Sequence, residues 1–324
     1  MNQIAMEEAW LWSSEGLAEA VSTPADLQKR SAQTPALVLV NRYAPDVETF
    51  LSDHKLVPDE LLKPLLMEDT RPRCESFKNG VLLNVRGINL NPGAEWGDML
   101  SARMWITDEA IILLHAHPIM ALREVVGRFS TVAGVDGVGA FVIEFVEGLT
   151  MRISAEVLQL EEKMDELETQ LDTQTDHRIL LNNLAHLRPV IMALKRFIAP
   201  QQEALSRLSI SKASWLSDIE RIHLRHNVDV VTRLVEDLDS LRERATYFKD
   251  AIQQKMSDAM TRSMNWLSAV AFVFLPLGFI TGLLGINVGG MPGVENPWAF
   301  SAVTVGITAL GFALWWLMHR KNLL

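Results

Sequence analysis

Two histidine pairs and one cysteine are the residues best suited to metal chemistry in the first part of this chain. His115 and His117 alternate as on a strand, which would turn both rings to one face, and His223 and His226 stand three apart, a helical ligand interval. Zinc favours nitrogen and sulfur in tetrahedral geometry, so either pair needs more donors, and Cys74 is the only thiol available. Nothing close in sequence completes such a set, and ordinary surface or hydrogen-bonded histidines are the plainer alternative. The second pattern is a stripe. On a 3.5-residue repeat one face reads Asp250, Gln254, Ser257, Thr261, Met264, Ser268, Ala271, Leu275, Gly278, Gly282 and Gly285, with Trp266, Phe272, Phe274, Phe279 and Leu283 on other faces. Small and polar residues along an apolar helix either let helices approach closely or line an aqueous path. The polar continuation into Thr261, Ser257 and Asp250 favours the path, because packing in lipid does not require it. Just beyond the stripe, the neutral amide of Asn287 can hydrogen-bond the water shell of a hydrated cation without trapping it, as conduction requires; a helix C-cap is the structural alternative. Glu295 would either raise cation concentration at the mouth or be an exposed loop residue.

The stripe sits in a segment that water would not tolerate. Between Trp266 and Met318 the only charged residue is Glu295, which divides two apolar runs, each near the roughly 20 residues needed to cross a bilayer. These are predicted as two transmembrane helices. Lys255 and Arg262 precede the first span, Arg320 and Lys321 follow the second, and Val288 to Pro297 contains neither Lys nor Arg. The positive-inside rule then places both termini in the cytoplasm and the loop outside, in a multi-pass protein that crosses its membrane twice. Trp266, Trp298, Trp315 and Trp316 mark the span ends, where indoles favour the headgroup region. Two spans cannot enclose a pore alone, so a pore implies a homo-oligomer with one such helix per copy. Asp250 would then form a carboxylate ring that attracts cations, and Leu275 an apolar ring that gates by dewetting.

The expected architecture is an α+β cytoplasmic domain (1–140), a long α-helical stalk region (141–265) and a transmembrane hairpin with a basic tail (266–324). Ala36–Arg42 reads as a strand, and Pro45–Lys55 and Pro58–Met67 read as helices. Asn79-Gly80 signals a hairpin turn, and Asp108-Glu109 joins two further strands. A helix follows Pro118, and Gly134–Gly139 reads as a linker. Ile153, Val157, Leu160, Met164, Leu167 and Leu171 form a coiled-coil seam beside an exposed acidic face from Glu156 to Asp172. A second helix covers roughly Thr175–Ala199, with Pro200 at its end. A third starts near Ser217 and meets neither Pro nor Gly until Pro276, so one helix is predicted to run from stalk into span. The N-terminus lacks a basic signal-peptide region, and a single cysteine fits a reducing compartment. A net charge of −10 argues against nucleic acid and suits cation handling. No phosphate loop, nucleophile elbow or nucleophile–base constellation supports an enzyme, and no cofactor is expected beyond a metal ion as cargo.

Gly285-Ile286-Asn287 resembles the Gly-x-Asn signature of CorA-type two-span metal transporters, and the likeness extends over nearly the whole chain. The stretch GLLGINVGGMPGVENPWAF, with Thr70-Arg71-Pro72-Arg73 and Ala199-Pro200-Gln201, is most similar to the ZntB branch. Ile286 stands where the magnesium branch usually has Met, and Gly293 follows Pro292 where that branch has an acid. The resemblance implies a funnel-shaped homopentamer in the lipid bilayer of a bacterial inner membrane, carrying Zn²⁺, with Ni²⁺, Cd²⁺ or Co²⁺ as further cargo. Proton-coupled uptake is the favoured mode. A passive Mg²⁺/Co²⁺/Ni²⁺ channel and zinc efflux are the alternatives within the class, and a membrane-tethered coiled-coil scaffold or sensor is the alternative outside it.

Overall fold

A computed structural model describes residues 5–12, 18–21, 34–68, 70–128, 137–174, 176–286, 293 and 296–320. It contains β1 (Met6–Trp12), β2 (Ala18–Val21), β3 (Ala36–Asn41), α1 (Val47–Asp53), α2 (Asp59–Leu66), β4 (Arg73–Phe77), β5 (Gly80–Ile88), β6 (Met99–Ile106) and β7 (Ala110–His115). These are followed by helices α3 (Met120–Arg128), α4 (Gly137–Gln170), α5 (His177–Ser209), α6 (Asp218–Leu284) and α7 (Ala299–Arg320). Two compact units result, Met1–Phe248 and Lys249–Leu324.

The first unit is built on one seven-stranded sheet of order β2-β1-β3-β7-β6-β5-β4. Its β3 and β7 are parallel, in register from Ala36↔Ala110 to Asn41↔His115, and every residue of both is buried. Such unbroken apolar runs are what strands covered on both faces require. One face meets Val47, Phe50, Leu51, Leu61, Leu62 and Leu65 from α1 and α2. On the other, Gly87 lets Leu149 of α4 and Ile119 close on β5. Strands β1 and β2 carry no alternation that announces them. Met6–Trp12 is rich in helix-favouring Glu, Ala and Leu, and antiparallel pairing with β3 makes it a strand. Its Trp12 is buried edge-to-face with Phe141.

Three local expectations are corrected. The β4–β5 hairpin forms, but Phe77 pairs with Gly80, so the two-residue loop is Lys78-Asn79 and Gly80 belongs to the strand. Its lack of a side chain serves close approach: a Cβ there would lie 2.6 Å from the Ile106 carbonyl and 2.8 Å from the Trp105 ring. Gly80→Ala is therefore expected to cost about 1–3 kcal/mol by overpacking, visible as earlier thermal unfolding with unchanged helical content. Pro200 does not end α5, which continues to Ser209. The bond lost at a proline is outweighed by packing, since Ala204, Leu205 and Leu208 are buried and Gln201 Oε1 accepts the Arg86 backbone N–H at 2.7 Å. The acidic face of α4 is not wholly solvated. Glu156 is buried and accepts a hydrogen bond from Trp96 Nε1, Lys163 lies over the same indole, and Arg244 of α6 bonds Asp165 and Glu168. The hydrogen bonds that Arg244 donates to both carboxylates, Glu168 foremost, raise its pKa.

The start of α6 is fixed by a capping box: Glu220 N–H donates to Ser217 Oγ (3.3 Å) and Ser217 N–H donates to Glu220 Oε2 (2.6 Å). From there Val231, Leu234, Leu238, Leu241, Ala245 and Phe248 are buried along one side, as their spacing requires. In β6, Arg103 is 2% exposed. Its guanidinium donates to the carbonyls of Leu65 (2.6 Å), in the last turn of α2, and of Met67 and Glu68 (3.1 Å) just past its end. Burial, helped by the charges of Arg42, Arg86 and Arg73, pushes its pKa down to about 10, which leaves it cationic at neutral pH.

Candidate functional site

The stripe lies wholly in the second unit. Helix α6 continues without interruption through Pro276 and ends at Leu284, after which Gly285 N–H reaches the carbonyls of Thr281 (2.9 Å) and Gly282 (3.2 Å). Asp250, Ser257, Thr261, Met264, Ser268, Leu275, Gly278, Gly282 and Gly285 are exposed, and Ala271 is half-buried. On the opposite side of α6, Ala269 is buried and Val273, Pro276, Leu277 and Ile280 are half-buried. That side meets α7, where Gly311 leaves room for Leu277. The hairpin thus spends one face of α6 on its own second helix and leaves the stripe uncovered. Among the described residues, a Cβ added at Gly278 or Gly282 would meet no atom within 4 Å, so these glycines are not needed for packing there.

Two helices, α6 and α7, are long and apolar enough to cross a membrane. Thr281, Thr304 and Thr308 satisfy their hydroxyls on carbonyls of the preceding turn, which removes the cost of polar groups in an apolar medium. Ile286 is exposed next to the end of α6. Asn287 and Glu295 lie outside the described residues, as does Lys321.

The histidines do not converge. His115 is 6% exposed, with Nε2 at 3.2 Å from Glu7 Oε2 of β1, a contact outside hydrogen-bond angles. His117 is exposed past the strand end and meets the Tyr43 ring edge-on. His223 lies 3.4 Å from Glu147, and His226 is exposed on α6. Cys74 is buried on β4, and desolvation pushes its thiol up to about 12, far from the thiolate a metal needs. Among the described residues no group of three His, Cys, Asp or Glu is placed to hold a metal ion.

The Glu7–His115 contact was not legible in the sequence, because it depends on β1 pairing with β3 beside β7. It is the largest cause of a lowered Glu7 pKa, partly opposed by burial. A carboxylate with a lowered folded pKa contributes stability that is present above its ordinary value of 4.5 and is lost as pH falls through the folded value. Glu7→Gln should therefore flatten the acid side of the stability profile, measured as unfolding midpoint against pH, by lowering the midpoint near neutrality and changing it little below the folded pKa of Glu7.

Comparisons with known proteins cover almost the whole chain. A sequence profile described as "CorA-like Mg2+ transporter protein" matches residues 39–321. The Zinc transport protein ZntB of Yersinia enterocolitica is 31% identical over 90% of this chain and 89% of its own length. The Divalent cation transporter CmaX of Pseudomonas aeruginosa is 30% identical over 86% of this chain and 85% of its own. The structure of full-length CmaX superposes with a TM-score of 0.84 at 26% identity, covering 98% of both chains. With the soluble mixed sheet, the long helix and two apolar C-terminal helices in place, these matches establish that the chain belongs to the CorA-like family of metal-ion transporters.

Proposed function

We propose that this protein carries divalent metal cations, Zn²⁺ foremost, across the bacterial inner membrane. The path would be lined by the α6 stripe of several copies, five by resemblance to CorA-type proteins. The observation that carries this reading is the uncovered stripe, polar apart from Met264 between Asp250 and Ser268 and small from Gly278 to Gly285, opposite the face that meets α7. A scaffold would have no use for a hydrophilic lane that continues into an apolar helix. In the assembled ring Asp250 concentrates cations, Met264 and Leu275 form apolar constrictions that pass ions only when wetted, and Asn287 with Gly285 forms the outer entrance, near Glu295. Hydrated passage explains why no three-ligand metal set is required along the lane.

The zinc preference rests on ZntB relatives near 30% identity and on Ile286 and Gly293. Uptake driven by protons is the proposed mode. Between Trp266 and Met318 only Glu295 can titrate, so the coupling group would be Glu295 at one end or Asp250 at the other. The test is metal entry into proteoliposomes holding a zinc-sensitive dye, comparing Zn²⁺, Mg²⁺ and Ni²⁺ with and without a pH gradient. Zinc entry that rises with an inward proton gradient supports coupled uptake. Mg²⁺ flux indifferent to pH makes the protein a passive channel. Zinc moving only against the imposed orientation makes it an exporter, and no flux of any divalent ion leaves a scaffold or sensor.

A further inference from the structure

The C-terminal end of α7 carries a second pattern that the ion path does not use. Trp315 and His319 stack with ring centroids 5.8 Å apart and planes within 5°, and Arg320 Cζ lies 5.3 Å from the Trp316 ring. Two adjacent i, i+4 pairs thus set two basic groups on two indoles, and the indoles remain 50% and 55% exposed. The approach of Gly311 to Leu277, with Ala269 and Met318 both buried, gives α6 and α7 an antiparallel register. By that register Arg320 stands level with Ser268, and the exposed Arg262 is six residues, about 9 Å, further along α6. The polar layer of one leaflet is roughly 5–8 Å thick, so the backbone positions of the two arginines stand about one such layer apart. Past Asp258, α6 has no acid, and α7 has none at all. Neither Arg262 nor Arg320 forms an ion pair among the described residues.

We propose that Trp315, Trp316, His319 and Arg320, with Arg262, form a seat for the phosphate of an anionic phospholipid. The proposal rests on the membrane reading above but not on the identity of the cargo. A guanidinium attracted to the face of an indole still has N–H groups to spare, and its fork of donors matches two phosphate oxygens at once. The exposed indole surfaces then face the upper acyl chains, where amphipathic rings are at home. The helix macrodipole alone would favour a cation in the last turn of α7. It would call for neither the paired indoles nor a second unpaired arginine on the neighbouring helix.

The experiment is native mass spectrometry of the detergent-purified full chain, free of added metal, given phosphatidylglycerol and phosphatidylcholine of matched acyl chains. Phosphatidylglycerol is expected to be retained preferentially, by about fivefold per engaged charge. Arg262→Gln with Arg320→Gln should erase the preference, and Arg320→Lys should keep part of it. If the double variant loses its fold or assembly, which the same spectra and circular dichroism report, Arg262→Gln alone is read for half the effect. Equal retention of the two lipids by the parent protein, or an unchanged preference in the folded variants, overturns the proposal. Displacement of phosphatidylglycerol by millimolar inorganic phosphate would also overturn it, by making this a free-anion site. Failure of the chain to enter any bilayer would instead remove the membrane reading itself.

Discussion

Zinc entry is expected to fall about 10- to 100-fold when Asn287 is replaced by alanine, the kinetic equivalent of losing roughly 1.5–3 kcal/mol of hydrogen bonding to a charged or strongly polarised group. The amide would act on the cation through its water shell, and alanine offers no acceptor in its place. Replacement by aspartate distinguishes this role from a simple helix cap. Aspartate keeps the shape and an acceptor but adds a full charge at each copy of the entrance, so binding tightens while release slows. A residue that only caps the helix would instead change stability and leave the half-saturating concentration unmoved. Dye-loaded proteoliposomes give both readings, as initial rate and as half-saturating concentration. Glu295→Gln is expected to have the milder effect, lowering entry chiefly at low ionic strength, as loss of a charge acting through a salt-screened field would.

The largest structural effect is expected at Arg103. Arg103→Met should destabilise the soluble unit by about 3–5 kcal/mol, because acceptors left without a donor cost roughly 1–3 kcal/mol each. The Leu65, Met67 and Glu68 carbonyls all accept from this one side chain, and Arg42 shares Met67 at 3.0 Å and Glu68 at 3.5 Å. The relief of burying a cation offsets part of the loss, which is why the expected total is below the sum over three acceptors. Hydrogen exchange on the full chain in detergent would show it as faster exchange through α2, β5 and β6, with the amides of α7 unaffected.

The elements that announce themselves by periodicity were readable before any coordinates. Ile153 to Leu167 and Val231 to Ile252 recur at threes and fours and are buried as that spacing demands. The capping residues around Ser217 and the charge-free runs after Trp266 likewise fix local outcomes by local chemistry. What escaped was nonlocal. Met6–Trp12 is a strand only because β3 offers it an edge, and Pro200 stays helical only because Gln201 and Leu205 are held against the sheet. Glu156 looked like one more solvated acid until Trp96 arrived from a loop sixty residues away in sequence. The candidate path was legible as a stripe because one helix supplies all of it. Its uncovered state was not, since that depends on which face of α6 the second span takes.

The account stands most directly on whether ions pass along that stripe. Single cysteines placed in a Cys74→Ser background at Ser257, Thr261, Ser268 and Ala271, and on the opposite face at Val273, Leu277 and Ile280, can be challenged with a charged, water-soluble thiol reagent during zinc flux. The account predicts fast modification and loss of flux at the first four positions, with slow modification and unaffected flux at the last three. Modification of the α7-facing positions with block of flux, while the stripe stays unreactive, would contradict it.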